Sequence, residues 1–259
     1  VAGMDINVAD AWKLTAGDPR VVVAVLDEGV KYTHPDLAAN MWTNPKESEN
    51  GNDDDGNGYV DDIHGYNFVD NGPITWDKAV IGIDGSNNGD SGHGSPVAGT
   101  IAAVNNNGIG VAGVAGGSGK NDGVRLMSCQ IFSGGKSAAD AATARAVKYA
   151  ADNGACIIQC SYGYSNASGG SNMTTDKKFK EFSPLLVEAL EYFYKSKNCE
   201  ALDGGIAIYA AGNDGKLVSS YPGAYSKNIS VTAIGPDGLP AAYTNYGPGC
   251  NIAAPGGEV

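Results

Sequence analysis

No apolar run in this 259-residue chain approaches the roughly 18 residues that a membrane-spanning helix needs. Basic residues are scarce: 17 Lys and Arg stand against 29 Asp and Glu, a formal charge of -12. So acidic a chain lacks the cationic surface that nucleic acid or an anionic membrane requires, and neither is expected as a partner. The opening Val1-Ala2-Gly3-Met4 carries no charged and then apolar leader, so a processed or excised domain is expected. Five cysteines, at 129, 156, 160, 199 and 250, cannot all pair within the chain and match no zinc spacing. Cys156 and Cys160 on one strand would lie about 13 Å apart, too far for a bridge. Mostly buried free thiols are expected, with a Cys199–Cys250 pair left open.

What the chain does have is glycine, 38 of them, and strand-like runs rich in Val, Ile and Ala. The runs are 20–26, 124–132, 155–160, 206–211, 229–234 and 250–254. Near-continuous apolar strands of this kind are buried on both faces of a parallel sheet. Helical stretches alternate with them at 8–14, 93–104, 138–153 and from Ser183-Pro184 through Lys197. Gly154 ends the third, and Ser183 followed by Pro184 opens the fourth. The alternation predicts one α/β domain over 1–259, a three-layer α/β/α arrangement with a mostly parallel central sheet. Polar insertions at 44–90 and 164–182 are long enough to be functional or mobile loops. Asn-x-Ser/Thr sequons at Asn166, Asn172 and Asn228 carry no inference, because the motif is too short.

Three segments set chemistry at or beside strand ends. Val21-Val22-Val23-Ala24-Val25-Leu26-Asp27-Glu28-Gly29 ends a buried strand on a carboxylate. Ser91-Gly92-His93-Gly94-Ser95-Pro96-Val97-Ala98-Gly99-Thr100 sets an imidazole among glycines before a small-residue helix. Ala207-Ile208-Tyr209-Ala210-Ala211-Gly212-Asn213 ends another strand on a side-chain amide. A parallel sheet gathers its ligands at such carboxyl ends. Each residue alone has an ordinary reading as a turn or cap residue. Of the other histidines, His34 before Pro35 reads as structural, and His64 lies in an acidic loop.

Together the three segments resemble the subtilisin-like serine proteases, the subtilases, in which the triad runs Asp, His, Ser. The likeness extends over nearly the whole chain. Ile158-Gln159-Cys160-Ser161-Tyr162-Gly163 resembles the strand that pairs with substrate, Ser133–Ala138 the opposing edge, and Ala253-Ala254-Pro255-Gly256 the turn approaching the serine. The resemblance implies a subtilisin-like fold and an endopeptidase. Asp27 would orient His93, His93 would act as general base, and Asn213 would donate to the oxyanion. An extended peptide or protein substrate would lie between Ser161, Tyr162 and Gly163 on one side and Lys136, Ser137 and Ala138 on the other. Tyr209, Ala211 and Gly212, with Tyr162, would line the primary specificity pocket. An inhibitory propeptide is kept open as a second partner.

Two departures touch the site. Glu28 replaces the usual small hydroxyl residue; as a surface-facing carboxylate beside Asp27 it could perturb the ionisation of that neighbour but need not touch the chemistry. The chain also contains no Gly-Thr-Ser segment and ends at Val259, just past Pro255-Gly256. It is therefore expected to lack the nucleophile and to be inactive by itself. A non-catalytic scaffold of the same fold, binding peptides or partner proteins, is the competing reading. A calcium-dependent adhesion module is a third, and it requires the His93 segment to be accidental.

Two loops suggest Ca2+. The segment from Asn52 to Asp62 carries five aspartates within Asp53–Asp62, and Asp53, Asp55 and Asn57 alternate around Gly56. That pattern opens an EF-hand-like loop, with the Tyr59 carbonyl and then Asp61 or Asp62 as further ligands. The second loop, Val104-Asn105-Asn106-Asn107-Gly108-Ile109-Gly110-Val111, reads by itself as an Asn-Gly turn. By resemblance it is a strong calcium loop, with ligands from Val104, Asn107, Ile109 and Val111 completed by Asp36 and Asp5. Calcium dependence and the family imply a secreted or cell-surface protein.

Overall fold

The computed structural model describes residues 3, 5–164 and 173–257; the sequons at Asn166 and Asn172 lie outside them. Eight strands form one sheet. In chain order they are β1 (Val22–Glu28), β2 (Gly65–Asn67), β3 (Arg125–Ser133), β4 (Lys136–Ser137), β5 (Ile157–Cys160), β6 (Ile206–Ala210), β7 (Ile229–Ile234) and β8 (Ile252–Pro255). Across the sheet they run β2-β3-β1-β5-β6-β7-β8. All neighbours are parallel except the short β4, which doubles back on the end of β3. The chain steps from β1 outward to β3 and then crosses back to β5 on the other side. The carboxyl end of β1 is thus the topological switch point, where such sheets open a crevice.

The helices are α1 (Val8–Ala11), α2 (Gly94–Ala102), α3 (Asp140–Asp152), α4 (Asp176–Phe182) and α5 (Pro184–Phe193). Two cores separate the layers. Val23, Val25 and Leu126 pack with Ala98 and Ala102 of α2 on one face. Ala24, Leu26, Met127 and Ile158 pack with Ala146 and Val147 of α3 and Leu186 and Leu190 of α5 on the other. Alternation along β1 feeds both cores, which is why its sequence is apolar without a break. The α/β/α expectation holds.

Shorter elements differ from the sequence reading. The 44–90 insertion contains β2, whose three residues are too few to show a period. The 164–182 insertion contains α4, a polar helix anchored by one buried ring, Phe179, and begun by Thr175, whose hydroxyl accepts the Lys178 N–H at 3.3 Å. The first helix is one turn, with none of its residues buried. The last stops at Phe193, not Lys197. Beyond it the backbone of Gly204 and Gly205 packs against Tyr194 and Phe193, where a Cβ would sit 1.8 Å and 2.5 Å from their atoms. The Asn198 amide then ties this connection to the carbonyls of Ala151 and Ala155 at 2.7 and 2.9 Å.

Candidate active site

Asp27 reaches the mouth of β1 almost fully buried, and its carboxylate accepts the Glu28 N–H at 2.7 Å. His93 stands at the N-terminus of α2. The two glycines beside it have different causes. Gly92 takes φ +78°, a left-handed conformation that side chains resist. At Gly94 a Cβ would lie 2.1 Å from the Glu28 carbonyl, so only glycine lets the helix start this close to β1. The approach brings His93 Nδ1 to 2.8 and 3.0 Å from the two Asp27 oxygens.

With Nδ1–H donating to Asp27, the neutral ring carries its lone pair at Nε2. Among the described residues Nε2 has no hydrogen-bond partner, and the side chain is 52% exposed where Asp27 is 4%. The Asp27 hydrogen bond raises the His93 pKa; burial opposes it, and the charges of Asp27 and Glu28 add to the rise. The other histidines are occupied. His34 Nδ1 accepts the Asp36 N–H at 3.2 Å, and His64 Nδ1 lies 2.8 Å from the Trp42 carbonyl.

Glu28 does not face away from the site. Its carboxylate accepts from Ser91 and from the His93 N–H. The expectation of a surface role is corrected.

Asn213 follows β6 and is exposed at its carboxyl end. Gly212, before it, has φ +108°, and a Cβ there would meet the Asn245 amide at 2.5 Å. Asn245 latches this turn. Its side chain donates to the Ala211 carbonyl at 3.1 Å and accepts from the N–H of Asp214 and Lys216 at 3.0 and 3.1 Å. Its own N–H donates to the Gly212 carbonyl at 2.8 Å. Nothing in Tyr243-Thr244-Asn245-Tyr246 marks Asn245 out, because its partners lie about thirty residues upstream.

Among the substrate residues, Ser137, Ala138, Tyr162 and Gly163 line one pocket of about 300 Å³ together with Phe132 and Phe182. Lys136 lies exposed on β4 beside it, and Ser161 follows the end of β5. Ala211 and Gly212 sit in the Asn245-latched turn. Tyr209 differs from expectation: its side chain is fully buried in the core, edge-on to Tyr162, so it lines no open pocket. Alternation along β6 turns that ring inward.

In the acidic loop, oxygens of Glu47, Asp53 and Asp55 lie within 4.8 Å of one another. Glu47 Oε1 accepts the N–H of Asp54 and Asp55 at 2.8 and 3.1 Å, while Oε2 is buried without a partner. Three converging carboxylates and an orphaned buried oxygen fit a hard cation such as Ca2+. Sequence reasoning passed over Glu47, which stands outside the aspartate run. The proposed closing residues are not among these three converging carboxylates. Asp61 accepts the N–H of Asn50 and Gly51, and Asp62 accepts from Tyr149 Oη at 2.6 Å and from the amides of Asn44 and Asn57. The N–H of Tyr59 donates to Asn57 Oδ1 at 2.8 Å.

The second loop folds onto Asp36 differently. The Asp36 carboxylate accepts from Asn107 Nδ2 at 2.7 Å and from the Val111 N–H at 2.9 Å, and Asn107 Oδ1 accepts the Ile109 N–H. The Val104 N–H donates to the Asp36 carbonyl, and Asp5 is exposed, accepting the Asn7 N–H. The loop thus brings Asn107 and the Val111 backbone against Asp36.

A mostly parallel α/β sheet with a carboxylate–imidazole pair at its switch point and an asparagine turn two strands away is the layout of a class of hydrolase folds. The Subtilase family profile matches residues 18–259, and the chain belongs to that family. It is 31% identical over 258 residues to halolysin of Haloferax mediterranei, covering all of this chain and 39% of halolysin. It is 27% identical over 251 residues to thermitase of Thermoactinomyces vulgaris, covering 97% of this chain and 68% of thermitase. Among solved structures, a protease of Pseudoalteromonas arctica PAMC 21717 superposes with a TM-score of 0.68 at 28% identity, covering 99% of this chain and 68% of that one. The chain thus spans well under half of halolysin.

Proposed function

We propose that residues 1–259 form a single subtilase catalytic domain, the Asp- and His-bearing part of a secreted serine endopeptidase. The observation that carries this reading is the 2.8 Å contact between His93 Nδ1 and Asp27, which leaves Nε2 free at the crevice. In the whole protein the nucleophile is a serine placed beyond the Pro255-Gly256 turn. His93 Nε2 takes the serine proton as the oxygen attacks the peptide carbonyl carbon, then delivers it to the departing amine. Asp27 holds the ring and stabilises the imidazolium. Asn213 donates to the oxyanion. Water then repeats the sequence on the acyl ester. Substrate backbone lies between β4 and 161–163, with an apolar side chain in the Phe132–Tyr162 pocket.

Glu47, Asp53 and Asp55 hold Ca2+, which supplies charge compensation and stiffens the 44–62 loop. Secretion is supported by that site and by a relative described as a halolysin-like extracellular serine protease, from Natrialba magadii. A serine-reactive fluorophosphonate probe tests the reading on the intact protein. Labelling and peptide hydrolysis, both lost in His93→Ala, support it. A folded protein that neither labels nor hydrolyses is the peptide-binding scaffold instead.

A further inference from the structure

Along β1, Val23 and Val25 face α2, whereas Val22, Ala24 and Leu26 face α3 and α5. Continued one step, the alternation places Asp27 on the α2 side and Glu28 on the other. The structure departs from this. Pairing with β3 slips by one residue at this point: Asp27 faces Gln130 and Glu28 faces Phe132. The extra residue is Ile131 of β3, so the ladder is disrupted where Glu28 ends β1. Glu28 comes round to the turn before α2. Oε1 accepts the Ser91 N–H at 3.1 Å and the Ser91 hydroxyl at 3.0 Å, and Oε2 accepts the His93 N–H at 2.8 Å. Two consecutive strand residues therefore hold one histidine, Asp27 by its ring and Glu28 by its backbone.

The carboxylate also meets a need of the helix. His93 is the N-cap of α2 but makes no capping bond, because its ring is committed to Asp27. The free N–H groups at a helix start need acceptors and favour negative charge. Glu28 supplies both from another element. Burial pushes its carboxyl pKa up, but the N–H groups of Ser91, His93 and Gly92 and the Ser91 hydroxyl outweigh burial and hold it below its usual value. The other charge facing His93 is Asp27, which holds the ring and accepts the Glu28 N–H. Asp90 turns to the N–H of Lys78 and Gly134, and α2 itself contains no charged residue.

We infer that Glu28 is a positioning residue for His93: its carboxylate clamps the Ser91–His93 turn so that the imidazole meets Asp27 and the nucleophile together, and its charge stabilises the imidazolium formed in turnover. The inference rests on His93 being the general base.

The test compares the intact protein with Glu28→Gln, Glu28→Ser and Glu28→Asp. Hydrogen exchange at the Ser91 and His93 amides is expected to rise about tenfold in Glu28→Ser and less in Glu28→Gln. The NMR titration midpoint of His93 is expected to fall by about half a unit in both. Glu28→Asp keeps the charge but loses reach, so it restores the midpoint more than the exchange protection. Peptide hydrolysis is expected to lose about tenfold in kcat with KM little changed, and its acid limb to move to lower pH. A purely structural role would lower thermal stability and leave the His93 midpoint in place. A folded Glu28→Ser with unaltered exchange at 91 and 93 and an unaltered midpoint overturns the inference. The exchange and titration readings hold in a protein that hydrolyses nothing, so failure of the protease reading gives a different pattern.

Discussion

His93 Nδ1 lies 2.8 Å from Asp27 Oδ1 although 66 residues separate them, and the contact exists because Gly94 lets α2 start against the backbone of β1. The imidazole is half exposed while its partner is buried. That asymmetry suits a base whose far nitrogen must meet an incoming group while its near nitrogen is held still.

Asp27→Asn keeps the shape and removes the charge. Hydrolysis by the intact protein is expected to fall on the order of 10⁴-fold, the loss this change causes in a triad protease. His93→Ala is expected to cost on the order of 10⁶-fold in kcat. Steady-state kinetics on a short peptide checks both. A loss under tenfold for either variant would remove that residue from the chemistry.

Asn213→Ala is expected to lower kcat by about 10²- to 10³-fold, the cost of one oxyanion donor. Asn245→Ala leaves the donor in place but frees its turn, so a smaller loss is expected, with a melting temperature several degrees lower. Equal kinetics for Asn245→Ala and wild type would show that the latch does not bear on the turn.

The titration of His93 has a defined sign. Its folded pKa is raised above about 6.5. The stability it contributes is therefore complete below that value and lost as pH rises through the folded midpoint. For Glu28 the folded pKa is lowered, so its contribution is present above the ordinary carboxyl range and lost as pH falls through its folded midpoint. Urea unfolding at a series of pH values should show both limbs in wild type; in Glu28→Gln the acid limb should flatten and the His93 limb should shrink as its midpoint moves down.

Chelation should destabilise the protein. A cation at 100 times its dissociation constant stabilises a fold by about 2.7 kcal/mol, so EDTA is expected to lower the melting temperature by several degrees, and added Ca2+ to restore it. Glu47→Gln should abolish the response, whereas Asp36→Asn should leave it intact. A response that follows Asp36 instead would move the ion to the second loop.

The sequence left a Cys199–Cys250 pair open, and the structure redirects it. Cys250 sits beside Ser219 and Ser230, whereas the thiol of Cys199 lies within hydrogen-bonding reach of Cys156. Burial raises the pKa of the Cys156 thiol, so the more exposed Cys199 is expected to be alkylated first in the native protein, read by mass spectrometry after digestion. Alkylation of Cys156 ahead of Cys199 would contradict this arrangement.

The sequence by itself determined the layered α/β fold and singled out Asp27, His93 and Asn213 as candidates. Parallel strands buried on both faces must be apolar throughout, so a carboxylate or an amide at the end of such a run stands out locally. It also pointed to the acidic loop, since aspartates that dense require compensation. Tertiary structure decided the rest. Glu28 meets the His93 N–H beside a slip in the β1–β3 pairing, Glu47 joins Asp53 and Asp55 only once the loop closes, and Asn245, in the β7–β8 connection, latches the turn that follows β6. Tyr209 turned inward because a strand's alternation is set by which face its neighbours bury. Each depends on partners distant in sequence, whose proximity follows from packing and leaves no local trace in the pattern of residue types.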